Sequence, residues 1–147
     1  MPGPSPARRE GDPVIVRDGG FASEDFVGDI APASQAAAAN VTAVDLDPAD
    51  DVNALAPHLD RLRLVRVAFP KFADGRGFTL ARRLRAMGYA GRLRAAGHVL
   101  PDQYAMARRS GFDEVEIDGA LAARLPQEHW IFRADWRAGD YQARLRG

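Results

Sequence analysis

The chain contains no cysteine. That absence excludes disulfides, thiolate nucleophiles, Cys-ligated zinc and cysteinyl iron–sulfur clusters. Lysine occurs once, at Lys71, so positive charge rests almost wholly on arginine, in the Arg- and Ala-rich style of a GC-rich genome. Neither sign of charge is in excess, with 20 Lys and Arg against 20 Asp and Glu. There is therefore no electrostatic case for a nucleic-acid or membrane-surface partner. No apolar run approaches the roughly 20 residues of a membrane span. The opening Met1-Pro2-Gly3-Pro4-Ser5-Pro6 lacks a signal-peptide core, so a cytoplasmic location is expected. Familiar cofactor signatures are also missing. Gly75-Arg76-Gly77 lacks the third glycine of a dinucleotide fingerprint, and neither a P-loop nor a nucleophile elbow occurs. No close His and carboxylate cluster has ligand spacing, so neither a metal nor a cofactor is expected.

What remains is enough for one domain. Residues 1–11 are rich in Pro, Gly and Arg and are expected to be disordered, leaving 12–147 as a single α/β domain. Val14-Ile15-Val16 and the turn Asp18-Gly19-Gly20 predict a hairpin within 14–27, and 31–40 reads as an Ala/Ser/Pro linker. A repeating pattern follows: strand 41–46, helix 52–62, strand 64–69, helix 78–87, strand 92–95, helix 101–110, strand 114–117. In the second helix Leu80, Ala81, Leu84 and Met87 share one face while Arg82, Arg83 and Arg85 point outward. Gly88-Tyr89 and Gly111-Phe112 supply a C-terminal glycine and an aromatic to fold back on the last turn. Pro101 suits a first helical turn and Asp102 its positive end.

The strands alternate. Val65, Val67 and Phe69 oppose Arg66; Leu93 and Ala95 oppose Arg92 and Arg94; Val115 and Ile117 oppose Glu114 and Glu116; Val44 and Leu46 oppose Asp45. One face is thus apolar and the other charged, whereas a doubly wound sheet is apolar on both. The expected fold is a four-stranded, mainly parallel sheet with helices largely on one face, half-barrel-like, plus the hairpin; a doubly wound three-layer sandwich is the alternative. For the charged face three readings stand. Arg66, Arg94, Asp45 and Glu116 form a mutually paired ladder; the hairpin or a homodimer mate covers the face; or its arginines bind an anion.

In parallel α/β folds the carboxyl ends of strands converge on one rim. That rim collects Asp45 or Asp47, Asp74, Arg76, His98, Asp102 and Asp118. An acid, a base and a cation together would serve proton transfer or anion binding. The candidate catalytic residues are Asp74, Arg76, Asp102 and His98, and the candidate anion-binding residues are Arg76 and Arg94. Asp74 and Asp102 also suit a turn and a helix start. In the tail at 128–147, Trp130 and Trp136 with nearby arginines suit either an interface or packing on the domain itself.

The block Phe-Pro-x-Phe-x-Asp-Gly-Arg-Gly-Phe at 69–78 resembles a bacterial domain-of-unknown-function family whose genes accompany those of assimilatory sulfite reductase. Its members carry the name "oxidoreductase probably involved in sulfite reduction". Ala81-Arg82, Leu84-Arg85, Gly88-Tyr89, Leu93-Arg94-Ala95, Gly97, Val99-Leu100, Asp102-Gln103 and Gly111-Phe112-Asp113 continue the resemblance. It implies a role in sulfite reduction, as an accessory protein acting with sulfite reductase or, alternatively, as a small oxyanion-binding enzyme or oxidoreductase. Two positions depart from the family's pattern: His98 stands where an acidic residue is common, and Ser110 where a cysteine is common.

Overall fold

The computed structural model describes residues 12–72 and 75–132. Seven strands form one sheet, in the order β2-β1-β7-β6-β5-β4-β3. They are β1 (Val14–Arg17), β2 (Gly20–Ala22), β3 (Ala31–Pro32), β4 (Ala43–Leu46), β5 (Leu64–Phe69), β6 (Arg92–Gly97) and β7 (Glu114–Ile117). β3 to β7 pair in parallel, and β1 pairs antiparallel with both β2 and β7. The four expected strands are therefore the centre of a larger, mostly parallel sheet. The predicted hairpin lies in the plane of that sheet and extends it. The predicted linker contributes β3 and a short 3-10 turn (Ala33–Gln35), and Pro32, which has no N–H to donate, sits on the outermost strand where none is needed.

The helices are α1 (Arg76–Ala86), α2 (Pro101–Ser110), α3 (Gly119–Arg124) and α4 (Gln127–Phe132). The helix expected over 52–62 is instead a 3-10 helix, Val52–His58. Pro57 lies inside it and cannot supply the N–H that an α-helix would direct at Asn53, so tighter turns take over. Asp51 caps the start by accepting from the Asn53 N–H at 3.0 Å. Both α1 and α2 end as their sequences suggest. Gly88 N donates to Arg85 O and Tyr89 N to Leu84 O, each at 3.0 Å; Gly111 and Phe112 repeat the pattern on Arg108 and Ala107.

Side chains from the 3-10 helix and from α1 to α4 all enter one apolar cluster with Val44, Leu46, Val65, Val67, Phe69, Leu93, Ala95, Val115 and Ile117. Those strand residues share one face through the observed register. The second helical layer that a doubly wound sandwich requires is not found among the described residues. Phe69 anchors the core, meeting Phe78 edge-on at 5.1 Å and Phe112 at 5.8 Å. Trp130 is buried against Tyr104, with its indole N–H on Leu125 O at 3.1 Å, so this part of the aromatic tail packs on its own domain. The expectations for residues 1–11 and for Trp136 fall outside the described residues.

Two glycines fix how β5, β6 and α1 approach one another. A Cβ on Gly77 would lie 2.4 Å from the Phe69 ring, so only glycine lets α1 sit on that ring. Gly97 has φ +121, and a Cβ there would lie 2.6 Å from the Phe69 carbonyl oxygen. Gly19 has open space and no positive φ. Gly97→Ala should thus cost at least about 2 kcal/mol through backbone strain and steric conflict, while Gly19→Ala should stay within about 0.5 kcal/mol. Urea denaturation of the two variants checks this; equal midpoints would contradict it.

Candidate functional site

The carboxyl-end rim is built from the loops that follow β5 and β6. The turn at Gly97 aims His98 back at β5: its N–H donates to Phe69 O at 2.8 Å, and its Nδ1 lies 3.2 Å from the same oxygen. A carbonyl oxygen only accepts, so this contact favours the tautomer with the proton on Nδ1. The imidazole also meets the Phe72 ring edge-on at 4.7 Å. Gln103, in the first turn of α2, accepts from Leu100 N at 3.0 Å and donates to Phe72 O at 2.9 Å. One side chain thereby caps α2 and fastens the β5–α1 loop. Arg76 and Asp102 stand exposed in the first turns of α1 and α2. Asp118 caps α3, accepting from Leu121 N at 2.7 Å. Asp74 lies outside the described residues.

A cavity of about 650 Å³ opens at this end of the sheet, on the charged face. Of the predicted rim residues it takes only Asp45 and Asp47; Arg76, His98, Asp102 and Asp118 are not part of its lining. Ala68, Ala96 and Gly97 form its floor, and Arg66, Glu116 and Asp50 complete its polar wall. Asp47 and Asp50 also shape the turn after β4, where Asp47 Oδ1 accepts from Ala49 N and Asp50 Oδ2 from Asp47 N. Among the described residues no three His, Asp or Glu side chains are placed to hold a metal ion.

Below the cavity, the charged face is a continuous ionic network. Arg66 grips Asp45 with two bonds, at 2.5 and 2.9 Å, and reaches Glu116 at 3.2 Å. Strands lie about 4.8 Å apart, so β5 and β7 are separated by about 10 Å, a gap two long side chains can close over a small residue. The reach is diagonal: Arg66 lies opposite Arg94 on β6, and the small Ala96 lies opposite Glu116. Arg94 is fully buried. Its Nε donates to Glu114 at 2.6 Å, Nη1 to Glu24 at 2.7 Å and Glu116 at 2.8 Å, and Nη2 to Glu24 at 2.7 Å. Burial works against the Arg94 charge, yet the Glu24 and Glu114 carboxylates outweigh it and raise its pKa. Glu114, also buried, accepts from Arg17 at 3.0 Å as well. Asp25 takes Arg17 and Arg92, both at 2.9 Å. Arg94, predicted as an anion binder, thus meets its anions within the chain.

Sequence reasoning missed Glu24 and Asp25, which look like ordinary loop acids. The signal was a shortfall of charge. Arg17, Arg66, Arg92 and Arg94 on this face outnumber Asp45, Glu114 and Glu116, which leaves room for a carboxylate from elsewhere. Arg85 and Asp113 do a comparable job at the other end. Arg85 donates to the carbonyls of Tyr89, Gly91 and Gly111 and to Asp113, which also accepts from Leu93 N. Ser110 is internal, its hydroxyl donating back to Met106 O at 2.8 Å.

Arg94→Ala leaves buried carboxylates without their cation and should cost about 3–5 kcal/mol. Among the described residues Arg83 reaches Asn53 on the exposed side of α1, so Arg83→Ala should stay within about 0.5 kcal/mol. Matching urea midpoints for the two variants would contradict the burial of Arg94.

Acid should act on the same network. Burial pushes the Glu24 carboxyl up, but hydrogen bonds from Arg94 and nearby backbone amides overcome it and leave it below the ordinary 4.5. Asp25 likewise ends below 3.8, burial being outweighed by Arg17 and Arg92. A depressed carboxylate stabilises fully above its unfolded value, and that contribution fades as pH falls through the folded value. Stability should therefore drop from about pH 4.5 downward, and Glu24→Gln should flatten the drop. Identical pH slopes for Glu24→Gln and the unaltered chain would contradict this.

The motifs and the network together invite comparison with known proteins. Residues 43–145 match the profile of a family described as "Bacterial protein of unknown function (DUF934)". Neither a protein of curated function nor a solved structure matches the chain. The matched stretch runs from the start of β4 past the end of α4 and takes in the parallel strands β4 to β7 with their helices. The chain belongs to the DUF934 family of bacterial proteins.

Proposed function

We propose that this protein is a cytoplasmic accessory factor of assimilatory sulfite reduction that acts with sulfite reductase by contact and carries no sulfite-reducing centre of its own. The process comes from the resemblance of the 69–78 block and its companions. A siroheme and iron–sulfur centre needs cysteine ligands, and the chain has none. The observation that favours contact over catalysis is the state of the arginines. Of the candidate anion-binding pair Arg76 and Arg94, Arg94 is taken by Glu24, Glu114 and Glu116, and Arg66 in the cavity wall is taken by Asp45 and Glu116. The cavity wall carries Asp45, Asp47, Asp50 and Glu116 around Arg66, a balance that repels a small oxyanion. We also read consecutive strands β4 to β7 as half-barrel-like, one face given to helices and the other left for a partner. On this reading a small oxyanion-binding enzyme is the weaker alternative.

Tagged protein drawn from its native host should bring sulfite reductase with it. A strain lacking the gene should grow poorly on sulfate as sole sulfur source and normally on a reduced one. A protein that never copurifies, in a deletion strain that thrives on sulfate alone, would sink the reading.

A further inference from the structure

Residues 23–30 leave β2 and cross the charged face before β3 begins. Their attachment is unusual. Glu24 to Asp29 make no backbone–backbone hydrogen bond within the described structure. Val27 is 87% exposed, so no apolar anchor holds the segment there. Phe26 and Ile30 are partly buried, and the polar attachment is a pair of adjacent carboxylates. Glu24 places both oxygens on Arg94, each at 2.7 Å, and Asp25 bridges Arg17 and Arg92 at 2.9 Å. The Glu24 side chain is 42% exposed while the guanidinium beneath it is sealed from solvent.

Lifting the segment changes the charge of the face. In place, Arg17, Arg92 and Arg94 meet four carboxylates: Glu24, Asp25, Glu114 and Glu116. Without it they keep Glu114 and a share of Glu116, which also serves Arg66. Beside Asp25 a polar cavity of about 550 Å³ is already open, its wall carrying Arg17, Arg85 and Arg92 together with Asp25, Asp113 and Glu114, and it gives an incoming chain a point of entry. Bidentate binding of a carboxylate is a strong preference of arginine, and the bound geometry is already specified by Glu24.

We infer that residues 23–30 form a displaceable strap, and that Arg17, Arg92 and Arg94 beneath it form a docking site for a partner protein's acidic segment with two adjacent carboxylates. The strap is the internal copy of that ligand. A small inorganic oxyanion would satisfy Arg94 alone and leave Arg17 and Arg92 without the second carboxylate, so the pairing favours a peptide. The inference does not rest on the sulfite reading, and either stands if the other fails.

Because the chain lacks cysteine, Val27→Cys gives a single site for a spin label on the strap. The probe is a blocked synthetic peptide of residues 21–30, with a control in which its Glu and Asp at 24 and 25 are Gln and Asn. In the full chain carrying Glu24→Gln and Asp25→Asn, the label should become more mobile. That variant should bind the acidic peptide at least tenfold more tightly than the unaltered chain, whose tethered strap competes at an effective concentration of about a millimolar. The control peptide should not bind. Should the double variant fail to fold, the labelled chain with its carboxylates intact serves: about 10 mM acidic peptide, above that effective concentration, should release the label. Unchanged label mobility in the chain tested, or equal peptide affinity in both chains, would overturn the strap. Equal binding of the control peptide, or full competition by the same concentration of inorganic sulfate, would overturn the acidic-peptide site.

Discussion

The structure depends on keeping one guanidinium, that of Arg94, charged and dry. A buried cation without partners costs several kcal/mol, and a parallel sheet with one face in water is uncommon. Both problems have one solution here. β7 lies beside β6 and brings Glu114 and Glu116 to Arg94, and residues 23–30 bring Glu24 from above. Among the described residues the charged face is thereby neither bare nor covered by a second helical layer. It is closed by ion pairs over its lower part and open as a cavity near the strand ends.

Much of this was legible in the chain. The alternation of Val65, Arg66 and Val67, repeated in β6 and β7, gave away which face is apolar, because side chains in a strand have a period of two. Gly88-Tyr89 and Gly111-Phe112 marked helix ends through local chemistry. The hairpin was visible, but not its antiparallel register on β7, where Ile15 lies opposite Glu116. That pairing is a long-range choice with no local signature. Pro57 did carry a warning against an α-helix, and apolar periodicity masked it. The rim was the least legible part. Arg76, His98 and Asp102 sit where strand ends predict, yet the cavity opens on the opposite face and takes Asp45 and Asp47 instead.

The residues that carry the family resemblance turn out to be busy with packing. Phe69, Gly77 and Phe78 set α1 on the sheet, Gly97 lets β6 turn against β5, and Gln103 clamps the loop between β5 and α1. Arg85 with Asp113 staples the amino-terminal ends of β6 and β7. Such a motif reports architecture first. It leaves the polar face, and the strap that crosses it, as the surface on which function can be sought.

The account stands or falls on the strength of the buried network, and a double-mutant cycle measures that directly. Urea unfolding of Arg94→Met, Glu114→Gln and the combined variant yields the coupling between two side chains 2.6 Å apart and both sealed from solvent. We expect a coupling of at least about 1.5 kcal/mol, with the combined variant more stable than Glu114→Gln and Arg94→Met would suggest by addition. A coupling below about 0.3 kcal/mol, the level of independent sites, would mean that the charged face is not held as described.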